Sequence, residues 1–369
     1  MQQNAWIAPW DSQAGQVARQ DSQPQALRIL RFEGLPGAEW EDAIKHAPRP
    51  HLSAASGWYL TIQRAYGHLP LYLWAEGASE GSAVLPAFLV RRPVLGTVVT
   101  SMPFLDAGGP CGGSGRIADA LVNHLVAEAR RRGASRVELR CIRPMDQPLE
   151  PSLEKVTLML PLPSDPDRLW RSLDPKVRNQ IRKAERSGLT VEVGGINLLD
   201  DFYRVFAVNM RDLGSPVHAK KFFRTILETF GESARVVLVK KNGVSLGGLI
   251  SLVFKDTIYV PWASSLREYA SFSPNMLLYW DTLRRACTGG LSRFDFGRSS
   301  RGSGTYRFKR QWGAEEVQLF WYTIPLGGQR TPTISADDGK WLVVRRLWRR
   351  LPVGISRVLG PRIRRYLTQ

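Results

Sequence analysis

Two stretches of this 369-residue chain end a helix and start a strand in the same way. RRRGASRVELR (130–140) and ACTGGLSRFDFG (286–297) each run from a helix end through glycine and a short turn into an Arg-led strand. The elements around them also recur in order. LYLWAE (71–76) and AVLPAFLVRR (83–92) read as strands, followed by the helix IADALVNHLVAEARRR, a stop at Gly133 and the strand RVELRCI (136–142). In the second half, ARVVLVK (234–240) and VSLGGLISLVF (244–254) flank Asn242-Gly243, a strong hairpin signal. DTIYVPWASS (256–265) follows as a strand. A helix then opens at Ser273-Pro274, with Ser as N-cap, and stops at Gly289-Gly290 before the strand RFDFG. Such an order constrains the fold to a tandem duplication of one α/β unit, with coincidental alternation as the alternative.

The chain is long enough for two domains, each with a full core. Expected boundaries are an unstructured Gln/Ala/Ser-rich segment at 1–27, domains at 28–160 and 161–330, and a basic tail at 331–369. Cys111, Cys141 and Cys287 lie far apart without metal-type spacing, and five scattered His residues form no cluster, so no metal site is expected. His68 reads as structural. The first thirty residues show no apolar signal region, and no run of about 18 apolar residues exists to span a membrane. A reducing, cytoplasmic setting is the expectation. There is no P-loop, HExxH or GxSxG pattern. The glycine run GGPCGGSG (108–115) could cradle phosphate but reads as a turn.

Charge is localised. Windows 168–188, 293–313 and 341–369 carry +5, +5 and +8, which together equal the whole net charge of +18. Localised charge of this kind points to anionic partners. The first window holds the helix DPKVRNQIRKAERSG (174–188), with Asp174 as N-cap, Pro175 at its first position and Gly188 as stop. Val177, Ile181 and Ala184 share one face. Lys176, Arg178, Arg182 and Lys183 lie elsewhere on it, as phosphate contacts or simply as a solvated surface. The second window starts as a strand that breaks at Gly297 and continues as a Gly/Ser loop crowded with cations. The tail WLVVRRLWRRLPVGISRVLGPRIRRYL interleaves apolar residues with eight arginines, and Pro352 and Pro361 should cut it into short helices. It fits either a peripheral helix at the inner face of an anionic membrane or a docked helix with solvated arginines.

Three segments together carry a family resemblance. These are SGWYLTIQRAYGHLP (56–70), LDPKVRNQIRKAERSGL (173–189) and SPNMLLYWDTLRRA…FDFGRSSRGSGTYRFKRQWGAE (273–315). The pattern, over roughly residues 45–360, resembles FemAB-like acyltransferases, in the branch associated with exosortase and exopolysaccharide gene clusters. The resemblance implies two tandem α/β domains of the N-acetyltransferase (GNAT) fold, with mixed sheets flanked by helices. It also implies amide formation by direct attack of an amine on an activated acyl donor, either aminoacyl-tRNA or acyl-CoA, without a further cofactor. The acceptor would be a lipid- or diphosphate-linked saccharide or peptide precursor of the cell envelope.

On that resemblance Asp295 is the candidate proton acceptor or amine ligand, with an Arg298 ion pair as its structural alternative. Arg298 and Lys309 are the candidate anion or oxyanion contacts. Ser303 and Tyr306 could donate hydrogen bonds to a carbonyl or phosphate, Trp312 could offer a stacking surface, with core packing as its more common fate, and Asn275 opens a helix beside the site. SSLREYASFSPNM (264–276) has none of the glycines of the simple acetyltransferase pyrophosphate loop, which weakens the case for acetyl-CoA. Two rival readings are a catalytically silent precursor-binding or assembly protein and a nucleic-acid module. Against the second, the basic helix has no interleaved stacking aromatics, and no DNA partner is expected.

Overall fold

The computed structural model describes residues 27–93, 95–147, 149–327 and 339–368. Nearly all of the segment 1–27, and residues 331–338 of the expected tail, lie outside them. The described chain divides into two compact α/β units. The N-terminal unit comprises residues 27–155, 318–327 and 368, and the C-terminal unit residues 156–317 and 339–367.

The N-terminal unit contains β1 (Arg28–Phe32), β2 (Leu69–Pro70), β3 (Tyr72–Gly77), β4 (Gly81–Leu85), β5 (Phe88–Arg92), β6 (Gly96–Thr100), β7 (Cys111–Gly112) and β8 (Ala134–Cys141). Its helices are α1 (Ala38–His46), α2 (Trp58–Tyr66) and α3 (Gly115–Arg131). The expected long strand 83–92 is two strands. Pro86, which has no N–H for a ladder, separates β4 in the sheet β1-β3-β4-β7 from β5 in a second sheet. That second sheet is completed from far along the chain by β16 (Phe320–Pro325), which runs antiparallel to β8 from Phe320↔Cys141 to Pro325↔Arg136. The sequence boundary at 330 gives no sign of this. His68 is buried, stacked between Tyr66 and Phe104 at 5.9 Å from each.

The C-terminal unit is one seven-stranded sheet in the order β10-β11-β12-β13-β14-β9-β15. The strands are β9 (Lys155–Pro161), β10 (Thr190–Gly194), β11 (Ala234–Lys241), β12 (Val244–Phe254), β13 (Thr257–Ser265), β14 (Arg293–Ser300) and β15 (Glu315–Gln318). Its helices are α4 (Pro166–Ser172), α5 (Pro175–Arg186), α6 (Leu199–Leu213), α7 (Lys220–Phe230), α8 (Pro274–Thr288), α9 (Gly304–Arg310), α10 (Gly339–Arg349) and α11 (Val353–Arg364). The duplication is visible in the two units. In each, a long helix (α3 or α8) leads through a left-handed glycine, Gly133 or Gly290, into a strand parallel to one that precedes the helix in the same sheet: β8 beside β6, β14 beside β13. Asn242 and Gly243 both take positive φ in the β11–β12 hairpin, as their pairing predicts. Asp174 caps α5 by accepting from the Lys176 N–H, and Val177, Ile181 and Ala184 are buried.

Two expectations about helix ends are corrected. Ser273 precedes α8 but makes no side-chain cap, because its left-handed backbone (φ 56°) turns the hydroxyl away from the first N–H groups. Pro361 does not end the tail helix. It lies within α11, while Pro352 occupies the N-cap position.

The tail docks on α6. Gly360 lets α11 close on the segment that follows α6, since a Cβ there would sit 2.8 Å from Val217. Arg364 Nε donates to His218 Nε2 at 3.0 Å, and the imidazole stacks on Phe222. Burial, and secondarily the Arg364 charge, hold the His218 pKa well below its usual value. Below about pH 6.5 the unfolded chain takes up a proton that the folded chain refuses, so stability falls with pH by about 1.4 kcal/mol per unit. Urea midpoints between pH 5 and 7.5 should show this slope in the native chain and lose it in His218→Gln. An unchanged slope in the variant would exclude His218 as its source.

Candidate active site

β13 pairs with β12 up to Ser265, but with β14 on its other side over only three positions: Thr257↔Arg293, Ile258↔Phe294 and Tyr259↔Asp295. Beyond Tyr259 and Asp295 no strand pairing joins the two, although β13 continues to Ser265 and β14 to Ser300. Parallel strands that part within a sheet open a slot edged by backbone rather than by a neighbouring strand. The α8 N-terminus, reached from β13 through a short 3-10 segment, adds outward-pointing N–H groups.

The slot owes its shape to a bend in β14. The strand does not stop at Gly297 as its sequence suggests. It passes through Gly297 at φ +76°, a left-handed conformation natural to glycine, and runs on to Ser300. Two charged side chains grip the bend. Asp295, 3% exposed, accepts from the Gly297 N–H at 2.7 Å and from Thr157 Oγ1 on β9 at 2.5 Å, both through Oδ1. Lys309, 8% exposed on α9, donates from Nζ to the carbonyls of Gly297 (2.8 Å) and Arg298 (2.9 Å). Asp295 and Lys309 are therefore brought together around one bend that includes Arg298, which is half-buried.

The remaining candidates divide by environment. Ser303 is the N-cap of α9, accepting from the Tyr306 N–H at 3.2 Å. The Tyr306 hydroxyl donates to Glu316, which also takes the Arg301 guanidinium at 2.9 Å. That hydrogen bond raises the Tyr306 pKa and, with Arg301, lowers that of Glu316. Glu316 carries no motif in the sequence; only its return along β15 places it beside the loop. Trp312 offers no stacking surface: it is 2% exposed, inside the core with Phe296, Phe308 and Tyr279. Asn275 lies half-buried in the first turn of α8.

On α5, Lys176 and Lys183 are exposed. Arg178 donates to the carbonyls of Trp170 and Arg171, and Arg182 lies 5.3 Å from the Trp170 ring, so both tie α5 to α4.

The glycine run of the N-terminal unit lines a cavity of about 290 Å³ with Arg49, His51, Arg143, Asp119 and Asp146. Its glycines are required by what lies behind them: a Cβ on Gly109 or Gly112 would approach Cys141 Sγ to 2.8 Å or the Ser82 carbonyl to 2.6 Å. Among the described residues no group of His, Cys, Asp and Glu is arranged to hold a metal ion, and no helix is long and apolar enough to cross a membrane.

These features define a protein of the tandem GNAT fold, with the parted strands in its C-terminal unit. Residues 171–310, which contain them, match the family model described as an acetyltransferase (GNAT) domain. No curated protein sequence matches the chain. Among solved structures, FemX is similar with a TM-score of 0.63 at 15% identity, over 80% of this chain and 97% of FemX. A tandem GNAT protein from the clavulanic acid biosynthesis pathway is similar with a TM-score of 0.52 at 13% identity, over 83% of this chain and all of that one. L-PGS from Bacillus licheniformis gives 0.52 at 14% identity, over 85% and 97%. At these identities the likeness is one of fold.

Proposed function

We propose that this chain is an acyl- or aminoacyltransferase that joins an activated acyl group to an amine on a cell-envelope or exopolysaccharide precursor. The observation that carries the reading is the slot where β13 and β14 part, beside the α8 N-terminus. An extended donor arm can lie between the two strands where they no longer pair with each other, as peptides add to sheet edges. The thioester or ester carbonyl then lies near the bend. The amine attacks that carbonyl, the C–N bond forms, and the thiolate or alkoxide leaves. Asp295 accepts the amine's proton, while Arg298 and Lys309 supply positive charge to the developing oxyanion. No covalent enzyme intermediate is needed. Exposed Lys176 and Lys183 suit the phosphates of the donor or of a diphosphate-linked acceptor. The FemAB resemblance favours an aminoacyl-tRNA donor, and the missing glycine loop points the same way.

Donor binding is testable by thermal protection with acetyl-CoA and with charged tRNA. A true donor at a hundredfold excess over its Kd stabilises by about 2.7 kcal/mol. Arg298→Ala should abolish that protection. Failure of both probes to protect the native chain would overturn the reading.

A further inference from the structure

The tail helices turn their apolar side chains outward. On α11, Ile355, Val358, Leu359 and Ile363 recur at helical spacing along one face and are all exposed, with Val358 56% accessible. The buried side carries Ser356 and Gly360, and the small size of Gly360 lets α11 close on Val217 in the segment after α6. On α10, Val343, Val344 and Leu347 are exposed, Leu347 at 59%, while Trp348 is buried. Of sixteen exposed large hydrophobic residues among those described, these seven fall within 21 positions. Docking has therefore anchored both helices and left their larger apolar faces uncovered, which ordinary surfaces avoid. Around those faces stand Arg346, Arg349, Arg350, Arg357 and Arg362, all exposed, and residues 341–369 contain no acidic side chain.

We propose that the outer faces of α10 and α11 form an interfacial docking surface for an anionic lipid bilayer. Ile355, Val358, Leu359 and Leu347 enter the headgroup boundary, and the flanking arginines meet lipid phosphates. A basic rim alone would suit RNA as well, but it would not explain the outward apolar side chains. A second copy of the chain would cover those side chains but would bring two arginine-rich, acid-free surfaces together. Only an anionic, apolar-cored partner matches both properties. The proposal does not depend on the acyl-transfer reading.

Vesicle flotation with the full chain tests this. Vesicles of phosphatidylcholine with a quarter phosphatidylglycerol should float at least about tenfold more protein than phosphatidylcholine alone, an excess that falls as salt screens the charges. Leu347→Glu and Val358→Glu replace exposed side chains, so the thermal melt should be unchanged, yet flotation should drop by about tenfold or more. Arg346→Gln and Arg349→Gln should each lower it by about fivefold. Equal flotation on neutral and anionic vesicles would overturn the proposal, as would full retention of both Glu variants. A salt-stable dimer that the Glu variants dissociate, without change in flotation, would also overturn it.

Discussion

Asp295→Asn is expected to leave the fold intact while cutting acyl transfer by about a hundredfold or more. The amide Oδ1 of asparagine can accept the same two hydrogen bonds, from the Gly297 N–H and Thr157 Oγ1. Its unfolding free energy should then stay within about 1 kcal/mol of the native value. Proton acceptance needs the carboxylate, and losing a general base costs about 10²–10⁴ in rate. Asp295→Leu differs, because it strands a buried hydroxyl and N–H and should lose about 2–3 kcal/mol. Lys309→Met likewise strands two carbonyls that now share an ammonium, with an expected loss of about 3 kcal/mol. Urea denaturation of the three variants gives the stabilities, and single-turnover assays give the rates. Native-like turnover in Asp295→Asn would reduce Asp295 to a residue that shapes the strand.

The bend explains why part of this site is legible in the sequence and part is not. Local signals placed the frame. Asn242-Gly243, the Asp174-Pro175 helix start and the paired glycine turns at Gly133 and Gly290 are set by short-range backbone preferences, and all stand where their residues put them. Gly297 shows the limit of such signals. A glycine after four strand residues reads as a stop, and nothing local distinguishes that from a left-handed kink inside a strand. Thr157 lies 138 residues before Asp295 and meets it only because β9 joins the sheet beside β14. Lys309 is legible as a candidate oxyanion contact, but not its hold on the bend; the α9 geometry points it inward onto the Gly297 and Arg298 carbonyls while Arg307 and Arg310 remain exposed. β16 is illegible for a similar reason. Its pairing with β8 spans some 180 positions and leaves no periodicity beyond that of any strand.

Trp312 is where the two kinds of information conflict most, and a pair of substitutions separates them. A tryptophan in a basic, glycine-rich block invites a role in stacking on a ligand, yet its ring is enclosed by Phe296, Phe308 and Tyr279. Trp312→Ala should therefore cost about 3–5 kcal/mol, as large-to-small changes in cores do. Trp312→Phe is the more discriminating variant. The indole Nε1 is buried without an acceptor, so exchange for phenylalanine removes an unsatisfied donor as well as some contact area. The two effects oppose each other, and the net loss should stay below about 1.5 kcal/mol. Donor protection should survive in Trp312→Phe, since the ring never reaches the slot. Weakened donor binding at native stability would mean that Trp312 touches the ligand after all.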